Sequence, residues 1–202
     1  MIRKRTFKED FRPVPESWRQ IVHAKKTIQT WPEWSDVAPL PTGKQVATSR
    51  FELHTSAAET ITMSIPLADE HGVGLEGVRL HLTAWPYRKL EDLTAVLEIQ
   101  GGRSFIPIAR VDAWAPDDHM NVRARNYPGL GHLPPEVGQH HVHRFDDNAK
   151  LGIDAFGAEN LPLAAPITDR LESFRDFLRV LSVEFNIDGL DQLKSPDWSG
   201  LI

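Results

Sequence analysis

Three histidines occupy four positions in the stretch Gly138 to Asp147, GQHHVHRFDD. They belong to a wider cluster, because five of the nine histidines (His119, His132, His140, His141 and His143) fall between positions 119 and 144. The same stretch carries Arg123, Arg125 and Arg144 against the single acid Glu136, a local excess of positive charge in a chain whose formal net charge is -5. If the histidine segment is a strand, His141 and His143 project from one face at period two and His140 points to the other.

Paired imidazoles suit two chemistries. As proton donor and acceptor near neutral pH they would act on an anionic substrate held by arginines, the arrangement that phosphodiester cleavage requires. As lone-pair donors they would fill two positions around a divalent ion such as zinc, with His119, His132 or a carboxylate, Asp112 or Asp147, completing the shell. The plain structural alternative is a solvated edge strand whose histidines pair with nearby acids.

The second strand of the expected hairpin ends in Arg110-Val-Asp112-Ala-Trp114. Arg110 and Asp112 share a face at i and i+2. They either pair with each other or divide two tasks, Asp112 orienting a histidine and Arg110 neutralising a phosphate. In the acid–base reading His141 and His143 are the catalytic pair, Asp112 the orienter, and Arg110, Arg125 and Arg144 the anion contacts, with no cofactor.

Other motifs lose to their context. Gly72-Val-Gly74-Leu-Glu-Gly77 spells a dinucleotide fingerprint, but the alternating, β-branched VRLHLTAW that follows reads as a strand where a helix would have to begin, so no nucleotide cofactor is expected. His81-Leu-Thr83 is half of a paired His-x-Thr arrangement whose partner is missing, which leaves His81 a structural role. The tryptophans lack the interleaved basic residues of a stacking platform.

The elements that must position these residues are legible in outline. Residues 1–45 form a proline-rich arm holding three of the six tryptophans. Within it Ser17 caps a short helix with Trp18, Ile21, Val22 and Ile28 on one face, bounded by Pro32. From about residue 46 to the end, one domain is expected. VATSRFELHT, TITMSIPLA, VRLHLTAW, LTAVLEIQ and RSFIPIARVDAW form a meander of strands, with a hairpin turn at Gly101-Gly102. Residues 115–138 read as a long loop. QHHVHRFD and AKLGIDAFG read as two further strands about a turn at Asp146-Asp147-Asn148. Thr168 caps a final helix whose face is Leu171, Phe174, Phe177, Leu178, Leu181 and Phe185, ending at Asn186 and Gly189, after which Trp198 tucks back. The expected class is α+β: an antiparallel sheet of about six or seven strands, a C-terminal helix packed on one face, and the helical, proline-rich arm on its edge.

The absence of cysteine excludes disulfide frameworks, thiolate metal sites and cysteine nucleophiles, and fits a cytoplasmic protein. The basic start runs into no apolar stretch, and no segment reaches the length of a membrane span.

Taken together, RVDAW…DDHMN…GQHHVHRFDDNAKLGIDAFG…SFRDFLRVLSVEFNI resembles a group of small uncharacterised bacterial domains, over roughly Leu97 to Ile187. Their pattern runs Arg-x-Asp, His-x-Asn-Pro, then His-x-His-x-Tyr/Phe, then a helix ending Asn-Ile. Some are similar to the toxins of toxin–antitoxin pairs. The resemblance marks Arg110, Asp112, His119, Asn121, His141, His143 and Phe145, and implies that His119 and Asn121 join the substrate-binding set. The chain departs from it at Val122, where proline would follow. The resemblance points to a toxin-like or RNA-directed role, and with the acid–base reading of the histidine pair the expected function is a toxin-like, metal-independent phosphodiesterase acting on RNA. The alternatives are a non-enzymatic interaction or regulatory module with a cognate antitoxin-like partner, and a divalent-metal-binding domain.

Overall fold

The computed structural model describes residues 12–35, 38–39, 59–124, 127, 129–157 and 161–198. The predicted strand Val46–Thr55 and Arg125 lie outside them. The fold is α+β, built on a large, mostly antiparallel sheet.

Helix α1 (Glu16–His23) starts after Pro15, which supplies no side-chain cap, and sets Val22 into the core and Trp18 edge-on to Phe156. Ser17 is therefore inside the helix rather than its cap. The chain leaves helical geometry at Ala24 and becomes strand β1 (Lys26–Ile28), so Ile28 packs from a strand and not from the predicted helix face. Tertiary pairing explains the change: β1 lies antiparallel to Leu67, Ala68 and Asp69 and parallel to Ile187 and Asp188, exchanging ladder bonds on both sides. Lys26 is fully buried, and its ammonium donates to the carbonyls of Ile21 (2.8 Å), Val22 (2.9 Å) and Ala24 (2.5 Å), which closes the C-terminal end of α1.

After the two-residue β2 (Ala38–Pro39), which pairs with β3, come the four long strands that the alternation predicts: β3 (Glu59–Asp69), β4 (Gly74–Ala84), β5 (Leu93–Gly101) and β6 (Ser104–Ala113). Each is antiparallel to the next. Gly72, at φ +81°, belongs to the β3–β4 turn and Gly74 opens β4, so the GxGxxG run is a strand connection. The β5–β6 turn sits one residue later than Gly101-Gly102: Gly101 pairs with Ser104, and Gly102 takes the positive φ (+68°).

The residues read as a structureless loop contain β7 (His119–Met120) and β8 (Glu136–Val137), which pair as a separate two-stranded ribbon. β9 (His141–His143) then joins the sheet beside β6. The expected polar turn and second strand are helical instead. Helix α2 (Phe145–Ala149) runs through Asp146, Asp147 and Asn148, and Ile153–Ala155 form a 3₁₀ turn. Two aspartates in the first turn suit the helix N-terminus, and the buried Asn148 is held by Arg144 O, Leu163 O and Leu163 N. β10 (Ala165–Pro166) follows on the outer side of β9.

Helix α3 (Phe174–Phe185) is capped by Ser173, whose Oγ accepts from the Asp176 amide and donates to its carboxylate, so the helix begins after Leu171 and not at Thr168. It ends, as predicted, at Asn186 in the left-handed conformation (φ 52°), before β11 (Ile187–Asp188). Trp198 returns to donate to Trp85 O and pack against Phe174. The sheet order β10-β9-β6-β5-β4-β3-β1-β11 gives one core face, where Ile65, Leu80, Leu97 and Val111 meet Phe177, Leu181 and Phe185 of α3. Among the described residues, no helix is long and apolar enough to cross a membrane.

Candidate metal centre

The other face of the sheet is polar, and the register orders its residues into two rows. One runs Thr62, Thr83, Thr94, Asp112, His141; the next runs Ser64, His81, Val96, Arg110, His143. The histidine pair of β9 therefore stands directly against Arg110 and Asp112 of β6, as period-two alternation requires. Within the rows Ser64 Oγ and His81 Nδ1 are 2.8 Å apart, which gives His81 its structural partner.

Asp112 is 2% exposed, and its two oxygens are treated differently. Oδ1 accepts three hydrogen bonds, from Thr94 Oγ1 (2.9 Å), Arg110 Nε (2.8 Å) and Arg110 Nη2 (2.6 Å). Oδ2 lies 3.3 Å from Nε2 of both His141 and His143, yet neither contact is aligned as a hydrogen bond. Among the described residues only two buried side-chain polar atoms lack a hydrogen-bond partner: Asp112 Oδ2 and His143 Nδ1. Each such atom ordinarily costs about 1–3 kcal/mol, so two together in one cluster mark a place that something else satisfies.

His141 makes the problem sharper. Its Nδ1 is 2.8 Å from the Gly138 carbonyl, which can only accept, so Nδ1 carries a proton. In the neutral ring Nε2 then holds a lone pair, and that lone pair faces the Asp112 carboxylate. Only a cation between them or a second proton on the ring makes the contact favourable.

His119 completes the group. Carried on β7, it is half-buried, its Nε2 lies 3.3 Å from Pro162 O, and its ring centroid is 4.7 Å from that of His143 and 5.4 Å from that of His141. One nitrogen from each of His119, His141 and His143 lies within 4.8 Å of the others. The site's electrostatics favour the neutral form of His119 and His143 and the charged form of Asp112. Burial and the neighbouring His143 push His119 down to about 4, and burial lowers His143 despite the opposing pull of Asp112. For Asp112, burial raises the carboxyl, but the two imidazoles and Arg110 outweigh it and hold it well below the usual carboxylate range. Neutral imidazoles beside an ionised carboxylate are the protonation states that a metal ion needs.

The remaining sequence candidates are placed elsewhere. His132 contacts Asp147 (3.1 Å), which also takes Lys150, so neither reaches the cluster. His140 accepts from the Trp114 amide. Arg144 forms two bonds to Glu184 across α3, and Phe145 is core. Asn121 is wholly buried, its amide bonded to Pro134 O, Ala164 O and Ala164 N, which pins the β7–β8 ribbon to the body of the domain. The contribution of Thr94 was not singled out in the sequence; its signal is a register match to Asp112, readable only once β5 and β6 are paired. No protein-family model, curated protein or solved structure matches the chain.

Proposed function

We propose that this chain binds a divalent transition-metal ion through His119, His141 and His143, with Asp112 Oδ2 beside it. The observation that carries the reading is the proton-locked His141, whose Nε2 faces a carboxylate oxygen with no hydrogen-bond donor aligned on it. A cation within reach of both atoms turns an unfavourable contact into two bonds. The spacing fits: 3.3 Å is the edge of a tetrahedron with bonds of about 2.0–2.1 Å. Bringing the three imidazoles onto one ion asks for a small closing movement, which the half-buried His119 is the best placed to make. Nitrogen-rich donors with one carboxylate and no sulfur favour zinc and its neighbours over magnesium or calcium.

The structure also supplies outer partners for the ligands. The Gly138 carbonyl fixes the ring of His141, while Thr94 and Arg110 fix Asp112. Protein purified without chelator is expected to carry close to one equivalent of metal, and a His141→Ala/His143→Ala variant none. Metal analysis of both, with folding of the variant checked by circular dichroism, tests this. A metal-free native chain that takes up no zinc, cobalt, nickel or copper overturns it.

A second reading rests on the same contact with a proton in place of the ion. A doubly protonated His141 paired with Asp112, next to His143 and Arg110, is an acid–base arrangement for a metal-independent, toxin-like phosphodiesterase acting on RNA in the cytoplasm, and the resemblance noted over Leu97–Ile187 supports it. It predicts that cellular RNA is cleaved in excess chelator and that the double variant leaves it intact. RNA unchanged by the chelated native protein excludes it.

A further inference from the structure

We infer that the ion is a closed structural clasp, taken by four protein ligands with no position left for a substrate, and that it governs how firmly the β7–β8 ribbon is held to the main sheet. This rests on the metal reading above. His119, His141, His143 and Asp112 Oδ2 fill the shell of a tetrahedral ion, whereas a catalytic centre keeps three protein ligands and an open position. Asp112, His141 and His143 are between 2 and 4% exposed. The clefts beside Leu75 and Phe105, beside Val22 and Phe185, and beside Ile167 and Val183 share no residue with the four ligands. Arg110 is committed as well. Its Nε and Nη2 lie 2.8 and 2.6 Å from Asp112 Oδ1, so it steadies the carboxylate from behind. Its side chain keeps 24% of its surface in water, which lowers the cost of the added positive charge.

Two rings are prepared for the ion by the backbone. The Gly138 carbonyl takes the Nδ1 proton of His141. The Pro162 carbonyl, 3.3 Å from His119 Nε2, can only accept, so this ring carries its proton there and keeps its lone pair on Nδ1. Carbonyls that choose the tautomer in this way are the usual outer support of metal-bound imidazoles. The four ligands join unequal parts of the molecule. Asp112, His141 and His143 belong to β6 and β9, neighbours in the main sheet. His119 comes from β7, whose ladder partner is β8, and β8 runs directly into Gly138, the residue that orients His141. Both strands of the ribbon are therefore coupled to the ion, one through a ligand and the other through the carbonyl behind a ligand. Asn121, bonded to Ala164 O and N at 2.8 Å, is a tie that needs no metal. The ribbon thus stays folded without the ion but parts from the sheet more readily.

Cobalt(II), whose visible absorption reports its ligand set, tests closure, and amide hydrogen exchange tests the clasp. The metal-free native chain is loaded with cobalt and titrated with azide, a small anion that enters an open coordination position. The expected bands are those of a tetrahedral ion and do not move with azide; in His119→Ala, which removes the ligand on the ribbon and leaves the sheet strands intact, they do. Exchange is then followed without zinc and with zinc at a thousandfold its dissociation constant. In the native chain the amides of β7 and β8, and that of Asn121 on Pro135 O, are expected to slow by up to about 1000-fold, because every opening that parts the ribbon from the sheet must release the ion. In His119→Ala they slow by less than about 10-fold. A folded His119→Ala that takes up no cobalt upholds His119 as an obligatory ligand. Azide-sensitive bands in the native chain overturn closure, and ribbon exchange that is equal with and without zinc overturns the clasp; both leave the metal reading standing. A native chain that never acquires cobalt bands removes the metal reading and this inference together.

Discussion

Zinc added to the metal-free protein at a thousandfold its dissociation constant is expected to raise the unfolding free energy by about 4 kcal/mol. For a domain of this size that corresponds to a rise of roughly 8–16 °C in melting temperature. The reason is the apo cluster: Asp112 Oδ2 and His143 Nδ1 are buried without partners, and His141 presents Nε2 to a carboxylate. The ion relieves the contact between Asp112 Oδ2 and His141 Nε2, and it also ties β7, in a ribbon outside the main sheet, to β9 inside it. The gain should fall to nearly nothing in His141→Ala/His143→Ala. That variant is informative at zero metal as well, because removing two imbalanced imidazoles leaves the apo protein with less to lose. Differential scanning calorimetry with and without zinc decides the matter; equal melting temperatures in the native chain would show that the cluster holds no ion in solution.

The other large effect is expected in alkali and involves a residue remote from the histidines. Burial lowers the Lys26 ammonium from 10.5 to about 8. The unfolded chain then binds this proton more tightly than the native one, so stability gains from rising pH across the window from about 8 to 10.5, and the contribution is flat below it. At about 1.4 kcal/mol for each tenfold change in proton affinity, the gain over the whole window is roughly 3 kcal/mol. The measurement is the difference in urea unfolding free energy between the native chain and Lys26→Met as a function of pH, which cancels the other titrating groups. A difference that stays constant from pH 7 to 10.5 would mean that the carbonyls of Ile21, Val22 and Ala24 hold the ammonium at its ordinary affinity.

How far the sequence reached depended on the range of the interactions involved. Period-two alternation in β3 to β6 and the Leu171–Phe185 stripe are local signals, repeated over nine or more residues, and the structure follows them closely. That His141 and His143 share a face was legible for the same reason; that Asp112 stands against them depends on β9 pairing with β6, a contact no local signal carries. Short elements decided by distant partners were not. β1 is three residues long and exists because β3 and β11 accept it from both sides. α2 is five residues, and its buried Asn148 is fixed by the backbone of Leu163. Asn121 entered the substrate-binding set through the resemblance alone, and no local signal announces that its amide is bonded to Pro134 and Ala164. At the start of α3, Ser173-Phe-Arg-Asp176 is a capping box that outcompetes Thr168, because it satisfies the Asp176 amide and carboxylate together.

The two polar rows carry a consequence for how the chain finds its fold. β9 contributes only three residues to the sheet, too few for its ladder bonds to dictate alignment against β6 by themselves. A slip of one residue would turn His141 and His143 toward Phe177 and Val111 and expel Val142. Burying imidazole against the aromatic core, with Asp112 left alone on the opposite face, disfavours the misaligned chain. The groups that form the centre thus also act as the alignment key of the strand that carries them, and a variant that replaced them all by apolar residues would lose its register before it lost its stability.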